Sequence, residues 1–267
     1  RALEAAAAAA LLGLWSLRAR WRNVPLVPSA LLTISAAAAG ALNLPYNRAL
    51  TGNPRTFPIM AYTDRIFGPG TNALGFGANR GLGWSGLDPY PGHGLRDVLV
   101  NTNLNLFQVN IELLGWSCGA LVAVWLLLAS GRLRRPDWMM IAVIATIIGL
   151  HAFYWFSGGP DFGARYWFLI LVPALVLVAR GIEETDVKLK DTATGVGALE
   201  PAALLTVLAL ATFVPWRAVD KYYHYRGMRP DMRAIAADLP AGPSLVLVRG
   251  NRHPDYHSAA AYNPVDL

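Results

Sequence analysis

Long apolar runs alternate along this chain with short Arg-rich breaks and with two long polar stretches. A helix needs about 20 mostly apolar residues to cross a hydrocarbon core about 30 Å thick. Runs that meet or approach that length fall near 2–17, 24–42, 111–130, 138–156, 166–182 and 201–216. They predict an α-helical polytopic membrane protein with about six transmembrane helices. The first run is short, and the fifth and sixth are close to the minimum. Pro25 and Pro28 stand in the first turns of the second span, where a missing N–H costs least.

Arginine placement orients these spans. Arg18, Arg20 and Arg22 fill the first connection, and Arg132, Arg134 and Arg135 fill the one after the third span. Arg180, Lys188 and Lys190, mixed with acids, follow the fifth. These are alternate connections, so all three share one side, which the excess of positive charge makes cytoplasmic. Both long polar regions, 43–96 and 217–267, then lie outside the cytoplasm. The expected organisation is a transmembrane domain over 1–216, with an extracytoplasmic loop at 43–96, followed by a C-terminal extracytoplasmic segment over 217–267.

The loop contains "GPGTNALGFGANRGLGWSGLDPYPGHG" (68–94), and its aromatic content favours a packed cap. In the C-terminal segment, "RPDMRAIAADL" has helical spacing and "SLVLVRG" reads as a short buried strand ended by Gly250. That is the start of a small α/β piece which the sequence does not complete. At the other end, "RALEAAAAAALLGLW" has the outline of a signal peptide, but Glu4 interrupts its basic end and no convincing cleavage site follows. It reads as the tail of a transmembrane helix in a longer chain.

Composition agrees with a membrane setting. The chain is 54% hydrophobic and 15% charged, where a soluble domain averages roughly 25% charged. Nine Trp and ten Tyr suit membrane–water interfaces. The net charge of +6 does not point to nucleic acid, because the basic residues are scattered or sit at the ends of apolar runs. Cys118 is the only cysteine, which excludes an internal disulfide and a Cys-based zinc site.

Two places hold polar groups inside or beside apolar sequence. In "DVLVNTNLNLFQVNIELLGW" (97–116), read as a helix, Asn101, Asn105, Gln108 and Glu112 fall at i, i+4, i+7 and i+11 and form one polar stripe. The stripe either faces water on an interfacial helix or lines a groove that admits a lipid-linked substrate. Glu112 separates these, since a carboxylate deep in hydrocarbon needs a cavity or a partner. In "SGGPDFGARYWFLILVPALVLV" (157–178), Asp161 and Arg165 stand four apart just before an apolar run. They either pair at the bilayer surface, or Arg165 binds an anionic group in an extracytoplasmic cavity, a task that suits its planar, always-charged head. Tyr166 and Trp167 beside it suit either stacking on a sugar or interfacial anchoring.

Other signals carry less. "GLGWSG" (81–86) matches G-x-G-x-x-G, but no strand precedes it. "HPDYH" (253–257) has two His and an Asp, with Pro254 spoiling a helical ligand pair. His93 reads as a loop residue rather than a base, and His151 as a hydrogen-bonded core histidine.

Three stretches carry a resemblance: "LPYNRALTGNPRTFPIMAY" with "LGFG" (44–77), "FYWFSGGPDFGARYW" (153–167) and "RGMRPDMRAIAADLPAGPSLVLVRG" (226–250). Together they resemble the C-terminal part of bacterial multi-pass glycosyltransferases of the GT-C class, related to family 39, the protein O-mannosyltransferase and aminoarabinose transferase group. The resemblance implies transfer of a sugar from a polyprenyl-phosphate donor on the outer side of the bacterial inner membrane. It also implies a donor-phosphate or cavity-lining role for Arg165 and Tyr166 of the "G-x-R-Y" stretch, and for Tyr46, Asn47, Thr51 and Gly52 of "Y-N-x-x-x-T-G". The catalytic acid of that class lies in an upstream external loop, and no position here matches it. A divalent metal would enter only with that upstream motif. The expected partners are the lipid bilayer, a lipid-linked sugar donor and other membrane subunits, with no nucleic acid. A second function stays open, that of a non-catalytic membrane subunit packed against a larger complex.

Overall fold

A computed structural model describes residues 2–19, 26–82, 88, 90–158, 163–191 and 196–219. Among these the chain is helical and forms no strand beyond a single antiparallel bridge between Gly77 and His93. In chain order the helices are α1 (Ala2–Ala19), α2 (Leu26–Ala41), α3 (Asn43–Thr51), α4 (Pro58–Phe67), α5 (Leu95–Glu112), α6 (Leu121–Ser130) and α7 (Arg135–His151). A 3-10 segment (Arg165–Ile170) leads into α8 (Leu171–Lys190), and α9 (Leu199–Ala211) and α10 (Phe213–Trp216) follow. The predicted C-terminal helix and strand, and the "HPDYH" histidines, lie outside the described residues.

Among the described residues, two helical stretches are long and apolar enough to cross a membrane, Arg165–Lys190 and Leu199–Val219. Of the apolar window in the second, 6% is buried. Leu204, Val207, Leu208 and Leu210 are all exposed along it.

The chain divides into two compact units, Arg1–Thr206 and Val207–Leu267. In the first, the core is built on α7. Met139, Val143 and Ile147 recur every fourth residue on its buried face, against Trp167 and Ile170, with Ala8 and Leu11 of α1 beside them. A second cluster joins Ala120 and Ala123 to Val178 of α8. Close approach of α6 and α8 depends on Gly181, where a Cβ would run into the Ala123 carbonyl. Small residues at such contacts are how helices pack when apolar burial supplies no net drive in lipid.

The starts of α5 and α7 are each held by a carboxylate of the first turn. Asp97 accepts from the Gly94 N–H at 2.8 Å and Asp137 from the Arg134 N–H at 2.8 Å, each carboxylate reaching back from the third helical position. At the start of α7 this grows into a charged cluster. Glu184 of α8 lies 2.7 Å from Arg180 Nη2, 3.3 Å from Arg134 Nη2 and 3.6 Å from Arg132 Nη1. Asp137, 2% exposed, lies 3.7 Å from Arg180 Nε.

The run at 111–130 differs from one continuous helix. Helix α5 ends at Glu112, and α6 begins only at Leu121. Gly115 and Gly119 between them have φ of 67° and 82°, outside the helical region. Asn110 restarts the helix, its carbonyl accepting from Ala120 N–H at 2.7 Å and its side-chain Oδ1 from Leu121 N–H at 2.9 Å. The loop expected at 43–96 contains α3 and α4, then a Gly-rich stretch whose described residues form no helix or strand beyond the Gly77–His93 bridge. In the second unit, described over 207–219, Arg217 stands over the Phe213 and Trp216 rings, 5.9 and 5.4 Å from their centres.

Candidate functional site

The polar stripe predicted on 97–116 forms on α5 and is covered by the chain's own corner after α7. Asn101 donates to the Trp155 carbonyl at 2.8 Å, and Asn105 is buried. Further along, Gln108 and Glu112 close on Gly163. A Cβ there would lie 2.6 Å from Glu112 Oε2 and 3.6 Å from Gln108 Oε1, and the backbone has φ of 66°. Glycine alone meets both demands, which accounts for that position in "DFGARY".

The space left between stripe and corner is small. Val98, Asn101, Asn105, His151, Tyr154, Phe156, Ser157 and Trp167 surround a gap of only about 10 Å³, about what one water needs. Asn101 and Asn105 are therefore packed against protein. Glu112, at the end of the stripe, is half-buried.

The Gly-rich loop is fastened over the same corner. Asn72 Oδ1 accepts from both Tyr154 Oη (2.9 Å) and Trp155 Nε1 (3.0 Å). Gly75 N–H donates to the Phe153 carbonyl at 2.7 Å. His93 Nε2 lies 3.0 Å from the Ala152 carbonyl; a carbonyl only accepts, so Nε2 carries the proton. Gly77 and His93 exchange backbone hydrogen bonds at 2.9 and 3.0 Å. Phe76 lies between the rings of His93 and Phe153, at 5.4 and 5.5 Å. The cap expected from composition is thus a tied-down loop over 152–155.

Beneath it the aromatics form one wall. Trp155 stacks on Phe156 at 5.0 Å, and Tyr166 meets Tyr154 and Phe156 edge-on at 5.8 and 5.9 Å. Arg165 is exposed at its rim, its guanidinium 5.3 Å from the Tyr166 ring centre. His151 Nε2 lies 2.9 Å from Glu4 Oε1, which ties α1 to the end of α7. A wider, open cleft of about 480 Å³ lies where the loop meets the start of α5, lined by Tyr90, His93, Arg96 and Asp97 among others. Arg96 stands 5.1 Å over the Tyr90 ring in it.

The remaining predicted residues sort clearly. Asp161, and with it the proposed pair to Arg165, lies outside the described residues. Asn47 is buried and donates to the Pro54 carbonyl at 3.1 Å. Thr51 Oγ1 sits among the carbonyls of Asn47, Asn53 and Thr56 at 2.8, 2.9 and 3.2 Å. Gly52, at φ 76°, ends α3. The "Y-N-x-x-x-T-G" stretch therefore spends its polar groups on a helix-ending turn, and Tyr46 points outward.

Sequence reasoning read His93 as a loop residue without a fastening role and did not single out Asn72, yet both side chains fasten the loop to the corner. His93 sits in a Gly- and Pro-rich stretch with nothing in its spacing to mark it, and Asn72 is one polar residue among many. Among the described residues, no group of three or more His, Cys, Asp or Glu is placed to hold a metal ion. Comparison with family models, with curated proteins and with solved structures returned no match.

Proposed function

We propose that the protein is a polytopic inner-membrane protein of glycosyltransferase type, receiving a polyprenyl-phosphate sugar at its outer face. The observation that carries this reading is the placement of Arg165. It is exposed at the first residue of a stretch long and apolar enough to cross a membrane, beside the Tyr154–Phe156–Tyr166 wall.

Two polar clusters at opposite ends of α7 support the sidedness. The Arg132–Arg134–Glu184 group gathers at its start, and the Asn72, His93 and Tyr154 contacts at its end. Seventeen residues separate them, about 26 Å at 1.5 Å per residue. The arginine-rich end is the cytoplasmic one, so Arg165 belongs to the outer end.

In this reading Arg165 makes paired, charge-assisted hydrogen bonds to the lipid phosphate and stabilises the charge it gains as the sugar leaves. The bond from the sugar's anomeric carbon to phosphate oxygen breaks, and one to an acceptor hydroxyl forms. The acceptor's proton passes to a carboxylate, which the resemblance places in an upstream external loop. Tyr166, half-buried beside Arg165, is the ring of the wall nearest to where the sugar would sit.

The test is binding of polyprenyl phosphate to the full chain in lipid nanodiscs. Arg165→Ala should weaken binding at least tenfold, about 1.4 kcal/mol. Arg165→Lys should recover part of it, since an ammonium keeps the charge and loses the fork. Unchanged affinity in both variants would remove Arg165 from the site and this reading with it.

A second reading, a non-catalytic membrane subunit, rests on large exposed aromatics such as Trp125 (68%) and Trp138 (58%). Co-purification of the native chain in one stoichiometric complex, with no binding of polyprenyl phosphate, would favour it.

A further inference from the structure

Helices α3 and α4 are built the wrong way round for a water-soluble surface. Their buried residues are polar, Asn47 in α3 and Thr63 in α4. Asn47 Nδ2 donates to the Pro54 carbonyl at 3.1 Å, and Thr63 Oγ1 donates to the Ile59 carbonyl at 3.0 Å. The outward residues Tyr46, Leu50, Phe57, Ile59, Tyr62 and Ile66 are apolar or aromatic and each 48% to 59% exposed. Tyr46 and Leu50 are one turn apart on α3, which also exposes Leu44 on another side, and Ile59, Tyr62 and Ile66 follow i, i+3, i+7 spacing and give α4 a single apolar face.

Charge on this surface has one sign. Across 43–67 the charged residues are Arg48, Arg55, Arg65 and Asp64. The three arginines are exposed, whereas the Asp64 carboxylate turns inward to accept the Gly70 N–H at 2.8 Å. Helix α3 also follows α2 with only Leu42 between them, and Asn43 Nδ2 donates to the Gly40 carbonyl at 3.0 Å. Helix α2 is itself apolar with exposed Leu31 and Ile34.

We propose that α3 and α4 form a shelf lying in the headgroup layer of a bilayer containing anionic phospholipid. The apolar residues reach the acyl boundary, the tyrosines sit at headgroup level, and the three arginines bind lipid phosphates. The shelf extends the membrane contact of the protein from its long helices to the loop that carries the cap. A protein partner would be expected to meet the arginines with acids; a lipid surface meets them with phosphates while dissolving the apolar face.

The experiment uses the full chain, with Cys118→Ser, reconstituted into vesicles of phosphatidylethanolamine and phosphatidylglycerol. Nitroxide labels are placed singly at Ile59, Tyr62 and Ile66, with one at the exposed loop residue Asn79 as reference. The ratio of collisions with oxygen to collisions with a water-soluble nickel chelate should be several-fold higher at the three shelf positions than at 79. Replacing phosphatidylglycerol by phosphatidylcholine should lower it, and Arg48→Gln, Arg55→Gln and Arg65→Gln together should abolish that lipid dependence. Free access of the chelate to 59, 62 and 66 would overturn the shelf. Shielding from both probes would overturn it in favour of a protein cover. A ratio indifferent to lipid charge would overturn the anionic preference.

Discussion

His93 donates a hydrogen bond to the carbonyl of Ala152 at 3.0 Å, across 59 residues of sequence. The contact fastens the Gly-rich loop to the corner that covers the α5 stripe. His93→Ala removes it and leaves the Ala152 carbonyl without this donor, a loss of about 1–3 kcal/mol. His93→Gln, which keeps a donor, should lose less. Hydrogen exchange at 75–77 and 152–155 checks this, with faster exchange expected in the alanine variant and near-native exchange in the glutamine one.

Asn72 serves two donors at once. Asn72→Leu strips the acceptor from Tyr154 Oη and Trp155 Nε1 together, while Asn72→Asp preserves it. The leucine variant should unfold more readily in detergent by about 1–3 kcal/mol. The aspartate variant should stay closer to the parent. Thermal unfolding of the pair compares them directly.

Gly181 and Gly149 make a matched contrast. A methyl at Gly181 meets the Ala123 backbone, whereas one at Gly149 meets nothing within 4 Å. Gly181→Ala should therefore cost about 1–3 kcal/mol through overpacking. Gly149→Ala should be neutral or stabilising by up to about 1 kcal/mol. Equal effects would mean that α6 and α8 do not approach at this point.

Glu184 and Glu183 are adjacent acids that differ in setting. Glu184 faces Arg132, Arg134 and Arg180, while Glu183 is well exposed and pairs with Arg180 alone. Glu184→Gln removes the negative charge that Arg132, Arg134 and Arg180 share and should lower the unfolding temperature. Glu183→Gln should leave it nearly unchanged, as for most surface pairs. Differential scanning fluorimetry on both variants decides the ordering.

Helices at the long apolar runs were legible because their signal is local. Helices α1, α2, α7 and α8 lie within or close to runs read from hydropathy alone. The break between α5 and α6 was not, because an apolar run looks the same whether or not Gly115 and Gly119 adopt positive φ. Its cue lay in the "GWSCG" spacing and in Asn110, whose capping role needs the folded turn. The α5 stripe was legible as a face of a helix, but its covering corner was not, since Trp155 and Gly163 reach it through tertiary packing. For Asn47 and Thr51 the resemblance implied a donor-phosphate or cavity-lining role, whereas the turn that takes their hydrogen bonds shows only in the fold, since polar residues beside glycine serve turns and sites alike.

The proposed topology crosses the membrane and puts the cap and Arg165 at the outer face. Single cysteines at Asn79 and Arg135, in a Cys118→Ser background, test it in intact cells with a membrane-impermeant maleimide. Asn79→Cys should label from outside, and Arg135→Cys only after the cells are permeabilised. Labelling of both positions from the same side would contradict the claim.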